Sequence, residues 1–401
     1  MERIECQHFS ILVGKFMKLT LQTWLSPKIG VISGSTGQLI VFINLINMPE
    51  IIGKRQDTYS AMTSLDAHVA HLKHLANQSI ARRILKERHG HTDEQAKKTA
   101  PVLSSHVRQG IAFHLDSRSA SKETHPALQY YAFLNLSVAV ILAFRPVGFQ
   151  GYKSHGVEDR THSLNAIKLS SKVLKVNRGA VPLFHSILSD VDLRGKEFRI
   201  SELVAAFHMC SHELTTQFNK KVQSIQVRDS LKNINGKWHS CFDFFRIVGV
   251  NTTKRLTKKR LEDAMPLLKS DYRCLNVADK SKNSYVSKQS WTGTARAKRT
   301  HERNGIKFIN YGGQASHVKI YEYCWCGTLR AKLLPTLSSI LLLSFSLASI
   351  VRYRPALLNA AFNSPIYLIL DVFTTEADQI FIPSIRNLIY REETRVLPYP
   401  A

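Results

Sequence analysis

The chain is poor in negative charge: 30 Asp and Glu stand against 55 Lys and Arg over 401 residues, a formal net charge of +25 with a pI near 9.9. Such a field draws in phosphate backbones and other polyanions, but it carries no information about fold. Cysteine is also scarce. The six, at positions 6, 210, 241, 274, 324 and 326, are scattered and do not form a disulfide framework. The start of the chain lacks a secretory n-region, h-region and cleavage site, so a cytoplasmic, reducing setting with free thiols is expected.

Several motifs are missing as well. Cys324 and Cys326 form a C-x-C whose spacing is too short for a zinc knuckle and has no matching second pair. The zincin order H-E-x-x-H is absent; His208 and His212 fall at i and i+4 with Glu213 adjacent, but metal binding needs at least one further ligand, and neither metal nor cofactor is expected. The Gly-Ser-Thr-Gly turn at Gly34–Gly37 lacks the Lys-Ser/Thr ending of a phosphate-cradling loop and reads as a plain turn. Neither an internal repeat nor a low-complexity tract is visible, which excludes a solenoid. With 44% hydrophobic and 21% charged residues, wholesale disorder is excluded too.

What is present is mostly helical in period. Short β-branched runs in the first 50 residues suggest a strand and hairpin. From Ser60 to Leu188 apolar residues recur at helical spacing, as in Leu65, Val69, Leu72, Leu75 and again in Val102, Val107, Ile111, Leu115, with a polar loop expected over 87–99. Pro126 sits at a helix start before a long apolar run to Phe144. Alternation in VQSIQVRDSL and WHSCFDFFRIVGV predicts strands. The uncharged run from Leu333 to Val351 is long enough to cross a membrane. Five serines, a threonine and Pro335 dilute it, so both apolar runs are expected as buried core helices, with no membrane span.

These signals predict an α+β protein, predominantly helical: a helical core with a short N-terminal β element and a basic β-containing insert. The expected divisions are an N-terminal β element (1–55), a helical domain (56–195), a mixed basic region (196–317), and a C-terminal helical segment (318–401) that returns to the core.

The positive charge is concentrated. Residues 251–310 hold fifteen Lys and Arg against five Asp and Glu, interleaved with Tyr272, Tyr285, Trp291 and Phe308. Cations that track phosphates beside aromatics that stack bases are the ingredients of single-stranded nucleic-acid binding. Arg255, Lys258, Lys259, Arg260, Trp291, Arg296, Lys298 and Arg299 are the expected contacts, with RNA favoured over DNA as the partner.

Ordered segments carry a resemblance. The run HVRQGIAFHLDSRSASKETHPALQYYAFLNLSVAVILAFRP, then SHGVEDRTHSLN, KVLKVNRGAVPLFHSIL, and near the end LLLSFSLASIVRYRPALL, resemble YaaC-like proteins. The resemblance rests on a Pro before a Tyr-Tyr helix with an internal Asn-Leu, a His-Gly pair, a Gly-x-x-Pro element and a closing Arg-Tyr-x-Pro. It implies a soluble bacterial protein, mostly helical with a mixed middle portion, and no established activity.

A second resemblance concerns chemistry. Arg108 followed by His114 is similar to the Arg-to-His signature of HEPN-type ribonucleases, in which His moves a proton at the ribose 2′-hydroxyl and Arg stabilises the phosphorane, without metal. Those nucleases place a polar Asn, Asp or His after the Arg, whereas this chain has Gln109. Six residues turn a helix by about 600°, so the pair converges only on an irregular helix or with a homodimer partner. A third catalytic candidate, His155, would sit with Arg145, Tyr130 or Tyr131 and Asn135. Three functional expectations follow: a nucleic-acid-binding protein, associated with stress or mobile-element defence; a HEPN-like endoribonuclease; and an interaction scaffold that needs no nucleic acid.

Overall fold

The structure is a computed structural model that describes residues 54–59, 64–145, 154–160, 173–189, 191–218, 224–246, 257–264, 266–275, 282–292, 313–315, 320–324 and 334–397. It is an α+β protein, predominantly helical, in which residues 49–401 form one compact unit. The turn at Gly34–Gly37, the N-terminal runs before residue 54, Arg255, Arg296, Lys298, Arg299 and Cys326 lie outside the described residues.

The helices of the first half are α1 (Ser64–His74), α2 (Gln78–His89), α3 (Asp93–Ser119) and α4 (His125–Phe144). Where the sequence reads as one polar loop over 87–99, only residues 90–92 separate two helices. Gly90 ends α2 in the left-handed region at φ +69°, which a side chain would strain. Thr92 then starts α3: its hydroxyl accepts from the Gln95 amide, and the Gln95 side chain accepts from the Thr92 amide. Asn77 caps α2 in the same way, accepting from Ser79 and Ile80, and so breaks the apparent run Leu65 to Ile80 into two helices.

Helix α4 is the centre. It is apolar on every face, and 13 of its residues from Pro126 to Ala143 are buried, which is the pattern of a helix enclosed by others. Packed against it are α3, the short α5 (Ala180–Leu188), α10 (Thr336–Tyr353) and α12 (Ile366–Tyr390). Gly110 of α3 lies against Leu136 of α4, where a Cβ would come within 2.8 Å of Leu136 Cγ, so its lack of a side chain sets the close approach of the two helices. Phe133 stacks on Phe381 of α12 at 4.3 Å between centroids.

Helix α10 begins after Pro335, a few residues later than the apolar run itself, and residues 336–350 are all buried. Its serines find partners inside the protein: Ser338 Oγ meets His185 Nδ1 at 2.8 Å, and Ser339 and Ser344 donate to the carbonyls of Leu203 and Ile340. By length and composition α4 and α10 could each cross a membrane, as could α11 (Pro355–Phe362) with α12 if that pair, bent by 100°, were one span. Helix α12 runs through Pro383 without a break and gives way at Arg391, φ +50°, to a strand.

Three sheets flank the helices. Strand β1 (Lys54–Tyr59) pairs in parallel with β11 (Glu392–Leu397), tying the two ends of the described chain together. Strands β2 (Val157–Asp159), β3 (Val173–Val176) and β4 (Glu197–Arg199) form a small antiparallel sheet. The short helix α6 (Ile200–Ala206) and α7 (Ser211–Phe218) follow it. His208 lies in a 3-10 turn ahead of α7, so it and His212 do not share one continuous α-helix.

The basic region forms the six-stranded antiparallel sheet, in the order β7-β8-β6-β5-β10-β9. Its strands are β5 (Ser224–Ile234), β6 (Lys237–Arg246), β7 (Tyr272–Leu275), β8 (Lys282–Ser287), β9 (Gly313–Ala315) and β10 (Ile320–Cys324). Strands β5 and β6 form a hairpin whose Asn235-Gly236 turn has φ of +51° and +77°, the primed geometry that matches strand twist. The short helices α8 (Lys258–Ala264) and α9 (Pro266–Asp271) bury Leu261 and Leu268 alongside Phe242, Phe244, Tyr272 and Tyr285.

Buried histidines make this fold acid-sensitive. Burial first, then the charge of Arg386, depresses His68 to about 4, and burial against Arg391 and His91 depresses His89 to about 4. Both are neutral when folded and take up a proton near 6.5 when unfolded, so their stabilisation is complete above pH 6.5 and lost as pH falls towards 4. A melting temperature that drops by several degrees between pH 7 and 4.5, with a shallower slope in His68→Gln, is the expected result; a flat profile over that range would contradict it.

Candidate functional site

The motifs quoted for the family resemblance come together around the C-terminal half of α10. The His-Gly pair meets the Gly-x-x-Pro element directly: a Cβ on Gly179 would lie 2.4 Å from the Gly156 nitrogen, and one on Gly156 would lie 2.7 Å from the Gly179 Cα. Gly156 has φ +75° and Gly179 φ +156°. Across this contact the Ala180 and Val181 amides at the start of α5 donate to the Ser154 and His155 carbonyls, and the Asn177 amide donates to the Gly156 carbonyl. The first turn of α5 thereby satisfies two of its orphan donors and fixes the His155 backbone.

So held, the His155 ring lies 5.0 Å from Phe345 of α10. Its partial enclosure, then the positive charge of Arg352, holds the imidazole below the ordinary histidine range. One turn along α10, Ser349 donates to Asp159 of β2 at 3.0 Å. Farther along the same face, Arg352 Nη1 donates to the Tyr131 hydroxyl at 2.7 Å and Nε to the Ala348 carbonyl at 3.3 Å. The guanidinium carbon lies 5.6 Å from the Tyr131 ring and 4.9 Å from that of Tyr353, which is 70% exposed. Tyr130 packs edge-on to Phe345, and Tyr131 faces Phe113 of α3.

Of the residues grouped with His155 from sequence, Tyr130 and Tyr131 are brought near it through Phe345 and Arg352. Arg145 and Asn135 are engaged elsewhere. Arg145 donates to Ser186 Oγ at 2.8 Å, and Asn135 Oδ1 meets His106 Nδ1 at 2.9 Å. Arg352 and Tyr353 belong to the closing Arg-Tyr-x-Pro of the family resemblance, which by itself assigns them no site role.

Arg108 and His114 lie on one regular helix, α3, and do not converge within the chain. Arg108 is exposed, whereas His114 is 1% exposed. Its Nδ1 is 3.3 Å from Asp378 Oδ2 on α12, too poorly aligned for a hydrogen bond. The other Asp378 oxygen accepts from Gln129 Nε2 at 3.0 Å, and Gln129 also donates to the Thr374 carbonyl. His114 therefore belongs to a polar cluster inside the helical core, away from solvent.

In the basic sheet Lys258 and Lys259 are exposed on α8, and Lys258 lies 3.7 Å from Glu262; Arg260 is on the same helix. Trp291 is 6% exposed, and its backbone pairs with Trp238 through two hydrogen bonds of 2.8 and 3.0 Å. The indole sits in the sheet's packing, with no open face for a base. Among the described residues no group of three or more His, Cys, Asp or Glu could hold a metal.

This is a helix-centred α+β protein whose candidate site lies where a small antiparallel sheet meets the end of a buried helix. The model of the YaaC-like Protein family matches residues 73–389, most of the chain, and the chain belongs to that family. No curated protein and no solved structure matches it.

The Gly156–Gly179 contact is testable by stability. Gly179→Ala drives a Cβ into backbone that cannot yield and is expected to cost about 2–4 kcal/mol. Gly195→Ala serves as the control, since Gly195 has φ +75° but nothing within 4 Å of a Cβ; it should cost about 1 kcal/mol. Equal losses in urea denaturation would rule out the steric account.

Proposed function

We propose that the chain binds nucleic acid, RNA in preference to DNA. The observation that carries the reading is the concentration of positive charge: fifteen Lys and Arg against five acids in residues 251–310 of a chain with net charge +25. Lys258 and Lys259 are among the described cations of that stretch that are exposed, as are Lys269, Arg273 and Lys288. With Trp291 packed away, its cations would act there mainly through phosphate contacts, a sequence-independent mode.

The reading takes α4 and α10 as core helices of a cytoplasmic chain. Support comes from the packing of α4 among four helices and from the internal partners of the α10 serines. The exposed Arg108 and the enclosed His114 argue against a ribonuclease site within one chain.

The test is retention of a labelled single-stranded RNA at 50 and 200 mM salt in EDTA. Wild type should bind at the lower salt and lose affinity steeply at the higher. Lys258→Glu with Lys259→Glu should weaken binding several-fold and reduce the salt slope by about 1.4. Absence of binding at 50 mM would overturn the reading. EDTA-resistant cleavage lost in Arg108→Ala, an exposed position that leaves the core intact, would replace it with the nuclease.

A further inference from the structure

We propose that Tyr353 and Arg352, with Tyr131 behind them, form a stacking platform for a base of single-stranded nucleic acid, with the flanking guanidinium taking the adjacent phosphate. The proposal rests on the nucleic-acid reading above and places a second contact surface outside the basic sheet.

The platform is ordered before any ligand arrives. Tyr353 is the last residue of α10, whose preceding turns are enclosed by the core. Arg352 is pinned by the Tyr131 hydroxyl and the Ala348 carbonyl, so its planar fork is held between the Tyr131 and Tyr353 rings. Those two bonds leave the rest of the fork's donors for an anion. The guanidinium covers one face of Tyr353, and at 70% exposure the other face is open to solvent.

A tyrosine so exposed at the end of a rigid helix exposes apolar area that folding does not require. Among the described residues it is by far the most exposed large hydrophobic; Leu115 and Leu368 are 41% and 44% exposed. The chemistry selects the partner. An open aromatic face backed by a fixed cation attracts a flat, electron-rich ring attached to a negative charge, as a nucleotide is, and base stacking on such a ring is worth about 1–3 kcal/mol. The chain's net charge of +25 favours the same polyanion over a basic or neutral protein surface.

The experiment measures full-chain binding to a fluorescent oligouridylate of about 15 nucleotides at 50 mM salt, a length near the site sizes of single-strand binders. Tyr353→Ala should raise Kd about tenfold, whereas Tyr353→Phe and Tyr353→Trp should stay within about twofold of wild type. Arg352→Lys, which keeps the charge but loses the planar stack, should also weaken binding. Tyr353 is exposed, so an unchanged melting temperature verifies that its variants fold. Photocrosslinking of 4-thiouridine-labelled RNA should map to Tyr353.

If wild type binds and Tyr353→Ala binds equally well, the platform is overturned while the nucleic-acid reading stands. If Tyr353→Ala instead keeps RNA affinity but dissociates a wild-type dimer in sedimentation, the surface is a protein contact and the proposal also fails. Absence of wild-type binding overturns both.

Discussion

A helix that is apolar on all sides has to be surrounded, and α4 imposes that requirement on the rest of the molecule. No single neighbour can cover it, so α3, α5, α10 and α12 pack against it from different parts of the chain. The hydrophobic effect scales with area removed from water, and α4 gains most when the enclosure closes. Gly110 brings α3 close on one side, and the Phe133–Phe381 stack fixes α12 on another. The small β2-β3-β4 sheet adds to this core through Val157, Leu174, Val176 and Phe198, which are buried with the helix residues.

Much of this was legible from periodicity and punctuation. Pro126 and Pro335 mark the starts of the two apolar helices, and alternation identified the β5–β6 hairpin, whose Asn235-Gly236 turn is the corresponding local signal. Boundaries set by side-chain capping were harder. Asn77 and Thr92 divide helices by hydrogen bonds to backbone amides, which a polar-residue count reads as loop. Pro383 lies inside α12, where buried Phe381, Ile382 and Ile385 on either side hold the helix despite the lost backbone donor.

The candidate site was legible only in fragments. His155, Tyr130 and Tyr131 could be grouped, but their link runs through Phe345 and Arg352, nearly two hundred residues downstream of His155. His114 was a candidate by resemblance, and it lies in the core with its Nδ1 3.3 Å from Asp378 of α12. Trp291 has the chemistry of a stacking residue and is buried beside a backbone bridge to Trp238. In each case a contact distant in sequence decided whether a chemically suggestive side chain faced solvent.

The order of the elements also has a consequence for synthesis. Helix α4 leaves the ribosome well before α10 and α12, which supply much of its cover. With roughly two hundred residues between them, at about 5–20 residues per second, the nascent chain carries an unshielded apolar helix for on the order of ten seconds or more. The parallel pairing of β1 with β11 closes only after the last helix has emerged. The enclosure of α4 is therefore completed late in synthesis, when its C-terminal cover arrives.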